Sequence, residues 1–378
     1  MNVYADYAAT STMRGVARDA MMEALEAFGN PSSIHAAGRM AAMKMESARK
    51  EVAELLNCRP SEIFFTSGGT EADNWAIRAA CMGTGQVITS AFEHHAILHT
   101  LEAMERAKLR RAYLVKPEPD GIINPDRVAE KAERDTSLVT IMAANNEIGT
   151  IQPVGEIVRA VRKTAGPAPI IHTDAVQAVG HIPMDVQKLG VDMLSLSAHK
   201  FGGPRGVGVL YANERVRLAP FIYGGGQERG CRPGTENVPA IVAMAAALRQ
   251  AYEKMDYETM AVTRMRNRLC EKIMEIPGAR INGSMEQRLP GNVNCRFEGV
   301  EGEALVILLD LDGVCVSAGS ACTSGSGEPS HVLTAIGQGR REAYGALRIS
   351  LGEENTMAEV DYIVRKLAEA VQKVRGKK

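Results

Sequence analysis

With 378 residues, the chain is longer than one hydrophobic core usually serves, so two domains are expected. Hydrophobic residues make up 45% and charged residues 24%, a soluble globular profile, and a net charge of −1 gives no basis for a nucleic-acid or membrane surface. Seven cysteines, an odd set with no Cys-x-x-Cys pair, argue against a disulfide framework and a zinc site. The opening Met1-Asn2-Val3-Tyr4-Ala5-Asp6 lacks the basic and apolar regions of a signal peptide, and reduced thiols in the cytoplasm are expected. The 19 methionines are scattered as flexible core filling is.

From about residue 60 the pattern alternates. Strands are expected at 62–66, 86–90, 112–115, 137–143, 169–173, 192–197 and 207–212, and helices at 71–82, 96–107, 125–133 and 157–165. Such alternation specifies an α/β fold with a mostly parallel sheet and helices on both faces. Residues 240–276 contain neither Gly nor Pro, which predicts a long helix running from one domain into the next. Beyond it, strands at 291–297 and 314–317 and helices at 303–311 and 357–374 predict a smaller α+β domain. The expected division is 15–256 for the large domain, with 1–14 and 257–378 forming the small one.

Chemistry-bearing residues gather where the strands end. Ser67-Gly68-Gly69-Thr70-Glu71 lies between a strand and a helix, either a phosphate cradle of backbone N–H groups or an ordinary helix cap. His94 follows the next strand, where it either stacks on an aromatic ring, moves a proton, or simply packs. Asn145-Asn146-Glu147-Ile148-Gly149 follows 137–143 as a polar turn. Asp174 ends 169–173, either pairing with a protonated ring nitrogen or capping the next helix, and Gln177 stands three residues on, within reach of a ring oxygen. Ser195-Leu196-Ser197-Ala198-His199-Lys200 closes the series, with an amine suited to a carbonyl cofactor and Ser197 and His199 suited to a phosphate. Five successive strand exits carry Thr70, His94, Asn146, Asp174 and Lys200, and ligands of open α/β sheets bind at those exits.

A second cluster is 317–327, Ser-Ala-Gly-Ser-Ala-Cys-Thr-Ser-Gly-Ser-Gly. Its small residues predict an exposed, mobile loop in which the thiol of Cys322 can reach a bound substrate; a harmless loop cysteine is the other reading. Cys315, between Val314 and Val316, is expected to be buried in a strand. Arg348, in Leu347-Arg348-Ile349-Ser350, either clamps a carboxylate or lies on the polar face of a strand.

Together these segments resemble the cysteine desulfurases, the NifS/IscS-like group of class V aminotransferase-fold enzymes that use pyridoxal 5′-phosphate. The likeness extends over almost the whole length. It includes Asp6 to Thr10, Gly29-Asn30-Pro31-Ser32-Ser33-Ile34-His35, Arg232-Pro233-Gly234-Thr235-Glu236-Asn237 and the cysteine loop. The resemblance implies the PLP-dependent transferase (aminotransferase-like) fold. It implies Lys200 as the Schiff-base lysine, and Gly69, Thr70, Ser197 and His199 at the phosphate. It further implies Asp174 at the ring nitrogen, Gln177 and Asn146 near the phenolic oxygen, and His94 over the ring and as a proton carrier.

In such enzymes a threonine matching Thr235 reaches the phosphate from the partner subunit, which implies a homodimer. Cys322 is implied as the persulfide-forming nucleophile, and Arg348, with Asn146 beside it, as the holder of the L-cysteine carboxylate. The implied reaction converts L-cysteine to L-alanine and passes sulfur to an acceptor, an iron–sulfur scaffold or a tRNA-thiolation enzyme. No resident metal is implied, beyond a transient iron–sulfur contact at Cys322. An aminotransferase or a selenocysteine lyase on the same fold is the alternative.

Three departures from the group stand out. The chain stops soon after 357–374, where longer members carry a scaffold-docking tail; it lacks the Arg-x-Gly-His-His-Cys pattern of the SufS-like group; and His331 stands where an aromatic residue is familiar.

Overall fold

The computed structural model describes residues 1–82, 85–319 and 329–376. Its strands are β1 (Val3–Tyr4), β2 (Ile63–Thr66), β3 (Val87–Ser90), β4 (Ala112–Val115), β5 (Leu138–Thr140) and β6 (Ile170–Asp174). They continue with β7 (Met193–Ser197), β8 (Gly208–Ala212), β9 (Ala279–Asn282), β10 (Asn292–Phe297), β11 (Val314–Cys315) and β12 (Ala346–Ser350).

A seven-stranded sheet runs in the order β2-β8-β7-β6-β5-β3-β4. Its strands pair in parallel from β4 through β7, and β8 runs antiparallel to both of its neighbours. Side chains alternate across the sheet, as a period of two requires. Ile88, Val139, Leu194 and Val209 enter one core, while the adjacent Val87, Leu138, Met193 and Leu210 enter another, with Trp75. With both faces covered, these strands carry apolar runs rather than a half-polar pattern.

A three-stranded antiparallel sheet, β12-β10-β9, and the pair β1-β11 enclose a third core. That core gathers Val3 and Ala5 with residues drawn from 262 to 371, including Leu269, Val293, Leu347 and Ile363. The N-terminal segment therefore packs beside the C-terminal third of the chain.

The long helix expected at 240–276 is two helices, Val238–Glu253 and Met255–Met274, meeting at Lys254 with φ −101° and ψ 0°. No Gly or Pro marks the break. It falls where the chain leaves one core, with Leu248 and Ala251, for the other, with Val262 and Leu269. The strand expected at 137–143 is ordered as a ladder only over Leu138–Thr140, and the helix expected at 125–133 ends at Ala129. Cys315, expected buried, is exposed. The short β11 pairs only with β1, so its alternation turns Val314 and Val316 inward and the thiol outward. No helix among the described residues is long and apolar enough to cross a membrane.

A buried ion pair anchors one edge of the large sheet. Arg49, on helix Ala36–Leu56, donates to both Glu228 carboxylate oxygens and to the carbonyl of Ile63, and Glu228 also accepts from the Phe65 amide at 2.9 Å. Both side chains are essentially inaccessible to solvent.

Candidate active site

The strand exits converge on one cavity of about 250 Å³. Its lining includes Ala8 and Ala9 from the N-terminal segment and Gly69, Thr70, His94, Asn146, Asp174, Gln177, Ser197, His199 and Lys200 from the exits of the large sheet. Arg348 reaches it from β12. Of the residues singled out in the sequence, Thr235 is exposed and does not line this cavity, and Cys322 lies outside the described residues.

At one end, β2 passes through Gly68, with φ +154°, into helix Gly69–Ala80. A Cβ on Gly69 would come within 2.6 Å of Val176 Cγ2, so a side chain there would fill the space between the helix start and the exit of β6. Glu71 accepts from the Ser67 amide at 2.8 Å and pairs with Arg232 at 2.8 Å. Segment 232–237, which carries Thr235, is thereby fastened to the start of the helix. Ser197 and His199 follow on β7 and the turn after it, and His199 Nδ1 lies 3.1 Å from Thr10 Oγ1. Burial, with Lys200 adding to it, holds the His199 imidazole down at about 4, so it is neutral near pH 7.

At the other end stand carboxylates. Asp174 accepts from the Val176 amide at 2.9 Å, and its burial pushes its carboxyl upward, opposed by that amide and by Lys200. Asp73, one helical turn beyond Thr70, is also buried against the cavity. Its Oδ1 makes no hydrogen bond.

Between the two ends, Lys200 Nζ donates to the carbonyls of Ala8 at 2.6 Å and Ala9 at 2.9 Å. Gln177 Nε2 donates to the same Ala8 carbonyl at 3.0 Å. His94 caps helix His95–Arg106, its Nδ1 accepting from the Ala96 amide at 3.1 Å. Burial first, then the charge of Lys200, holds His94 down at about 4.

Arg348 is a fully buried guanidinium. Nη2 donates to Asp6 Oδ1 at 2.8 Å and Nη1 to the Asn146 carbonyl at 3.0 Å, while Nε has no partner. An unsatisfied cationic donor at a cavity is a costly thing to bury unless an anion meets it there.

The donor set fits pyridoxal phosphate. Hydroxyls and a helix N-terminus suit a phosphate, a carboxylate suits a protonated ring nitrogen, and an amine lines the same cavity. Asp73 and Arg348, both lining the cavity, each keep a buried polar atom without a partner, Oδ1 and Nε. Sequence reading assigned no role to Asp73 or to Asp6. Asp73 had a local signal, since Thr70 and Asp73 are three apart on one helix and share a face. Asp6 had none, being 342 residues from its partner.

Fold and crevice together define a class V aminotransferase-type enzyme, and the aminotransferase class V family model matches residues 3–363. Cysteine desulfurase IscS of Methanosarcina thermophila is 44% identical over 99% of this chain and 93% of its own length. A solved NifS-like protein superposes with a TM-score of 0.92 at 39% identity, covering 98% of this chain and all of that one. The protein SspA, solved in complex with cysteine, does so with a TM-score of 0.81 at 33% identity over 94% of this chain and all of that one. The chain belongs to the cysteine desulfurases of that family, which depend on pyridoxal 5′-phosphate.

Proposed function

We propose that this enzyme removes sulfur from L-cysteine at the cavity where the strand exits meet Arg348, and that Cys322 carries the sulfur away. The observation behind the reading is buried Arg348, which lines the same cavity as Lys200 and Asp174 and whose Nε has no hydrogen-bond partner. Gly69, Thr70, Ser197 and His199 would hold the cofactor phosphate, Asp174 its ring nitrogen, Asn146 and Gln177 its phenolic oxygen, His94 its ring face and Lys200 its aldehyde carbon. When bound, pyridoxal phosphate supplies an electron sink for a carbanion at an amino acid Cα.

Arg348 binds and orients the substrate carboxylate, with Asn146 beside it. Lys200 Nζ, lining the same cavity as Arg348 and Asp174, takes the proton from the substrate Cα. The thiolate of Cys322 attacks the substrate sulfur: an S–S bond forms, the Cβ–S bond breaks, and the electron pair stays on the carbon that becomes the alanine methyl. Sulfur is oxidised to the persulfide level and carbon is reduced in the same step, so no outside oxidant is needed. His94 moves the thiol proton.

The division into 15–256 and 1–14 with 257–378 is part of this reading, supported by the separate core of Val3, Ala5 and residues 262–371. So is a homodimer: Thr235 is exposed and off its own chain's cavity, and Phe28 and Ile34 are 88% and 91% exposed apolar side chains. The sulfur acceptor is an iron–sulfur scaffold or a tRNA-thiolation enzyme, in the cytoplasm, where the free thiols of Cys58, Cys81, Cys231, Cys270, Cys295 and Cys315 stay reduced.

Cys322→Ala is the test. The variant is expected to keep the bound cofactor's visible absorption and to lose sulfide release from L-cysteine with a reductant by at least about a hundredfold. Sulfide release at the unaltered rate overturns the role of Cys322.

A further inference from the structure

Glu147 is a buried carboxyl that the reaction outlined above does not use. It stands next to Asn146 in the turn after β5, and that turn is braced. Asn145 Oδ1 accepts from the amides of Glu147 at 2.8 Å and Ile148 at 3.0 Å, and Asn145 Nδ2 donates to the Phe92 carbonyl at 3.0 Å. Asn294 Nδ2, on β10, donates to the Glu147 carbonyl at 3.2 Å. The backbone that aims the carboxyl is therefore tied to the large sheet on one side and the small sheet on the other.

The carboxyl meets both ends of the segment that carries Cys322. At the far end, Ser330 Oγ donates to Glu147 Oε2 at 2.5 Å and accepts from the Leu333 amide at 3.2 Å. A hydroxyl has one hydrogen, so Ser330 caps helix His331–Ala335 with its oxygen and gives its hydrogen to Glu147. At the near end, Gly319 has φ +66°, and a Cβ there would lie 3.3 Å from Glu147 Oε2 and 3.8 Å from Ser330 Cβ. Gly319 and Ser330 are thus side by side, with one carboxyl oxygen against both.

Each end is also held from its own side. Ser317 Oγ donates to Asp6 Oδ2 at 2.8 Å, and Ser317 exchanges backbone bonds with Arg348 at 2.7 and 3.1 Å. His331 Nε2 donates to the Glu93 carbonyl at 2.9 Å. Burial lifts the Glu147 carboxyl, opposed by Ser330, His331 and Arg348, and whether protonated or ionised its Oε2 can accept from Ser330.

We propose that Glu147 is a positioning residue for the sulfur-transfer step: through Ser330 it keeps the two ends of the Cys322 segment side by side at the cavity. The inference rests on Cys322 being the sulfur carrier. A segment with both ends fixed together samples a smaller volume than one with a loose end, which raises the effective concentration of its thiol at the substrate. The turn 145–149 then serves two halves of the reaction, since the Asn146 carbonyl steadies Arg348 and the Glu147 carboxyl steadies the base of the thiol's segment.

The experiment follows the transfer itself. The full-length, cofactor-loaded protein is mixed with one equivalent of L-cysteine, and persulfide on Cys322 is followed with time by alkylation and mass spectrometry. The cofactor's visible spectrum and KM for L-cysteine are measured beside it. In Glu147→Ala the persulfide is expected to form about tenfold more slowly or worse, with the spectrum unchanged and KM within about twofold. Glu147→Gln, which can still accept from Ser330, is expected to stay within about threefold of the unaltered rate. Ser330→Ala should slow the step as Glu147→Ala does, Ser330→Thr should restore it, and the double alanine variant should lose no more than the worse single one.

Should Glu147→Ala fold poorly, Ser330→Ala against Ser330→Thr decides. A persulfide rate unmoved in the alanine variants overturns the role of Glu147 and leaves that of Cys322 standing. A slower rate matched by an equal loss of cofactor absorption or of substrate affinity shows a structural role alone and overturns it too. If no persulfide forms on Cys322 in the unaltered protein, the assignment of Cys322 falls first and this inference with it.

Discussion

The two sides of the cavity are built in different ways. On the large-sheet side, Thr70, His94, Asn146 and Lys200 follow strands and Asp174 ends one, so all owe their place to the end of a ladder. On the small-sheet side, Arg348 sits within β12, buried, and owes its aim to Asp6 and the Asn146 carbonyl. The first side is a product of repeated local geometry. The second depends on one ion pair between the two ends of the chain. Local changes should therefore damage the first side one role at a time, whereas the second should respond to a change at either partner.

The largest effect is expected from Lys200→Ala. Turnover should fall more than about a thousandfold, and the visible absorption of the bound cofactor should disappear. Absorption unchanged after purification would remove Lys200 from its role and with it the contrast drawn here.

A smaller and more selective effect is expected at Arg348. Its replacement by Ala should raise KM for L-cysteine about tenfold to a hundredfold, as loss of a charge-assisted pair does, while cofactor affinity holds. Asp6→Asn should raise the same constant by less, because it frees the guanidinium without removing it. Equal losses of cofactor and substrate affinity in these variants would show that the two sides are one unit.

The smallest effect is on stability against pH. Burial holds the imidazoles of His94 and His199 down at about 4 and that of His172 at about 3, against 6.5 ordinarily. The unfolded chain binds those protons first, so their contribution is present above pH 6.5 and is lost as pH falls from there toward 4. Glu93 has the opposite sign. Burial lifts its carboxyl from 4.5 to about 8, opposed by bonds from Ser90 and the Met142 amide. Its contribution is complete below pH 4.5 and is lost as pH rises through 8. Glu93→Gln should remove this group's share of the fall in denaturant-measured stability between pH 4.5 and 8; an identical fall over that range would count against it.

The same contrast explains what the sequence disclosed. Exits of apolar, β-branched strands were legible because a strand's period and its polar terminus are local signals, and the site residues follow them one after another. The family likeness implied the role of Thr235, which no local pattern supplies, and turned the reactive thiol expected at Cys322 into a persulfide carrier. Asp73 carried a signal in its spacing from Thr70, but a lone acid on an amphipathic helix also reads as solvated surface, and the sheet beneath it makes it interior. Asp6 and Arg348 meet through tertiary packing, and the break at Lys254 comes from a change of core rather than from a helix-breaking residue. Cys315 was misjudged because alternation tells which residues share a face but not which face is covered.

The bond from the Ala96 amide to His94 Nδ1 has one more consequence. A neutral imidazole carries a single hydrogen, and with Nδ1 engaged as an acceptor that hydrogen must ride on Nε2. In that tautomer the ring offers a hydrogen-bond donor at Nε2, and its one lone pair is the one occupied by the Ala96 amide. To take up a proton it must first let go of the helix start, so any acid–base duty of this side chain is coupled to loosening of the cap.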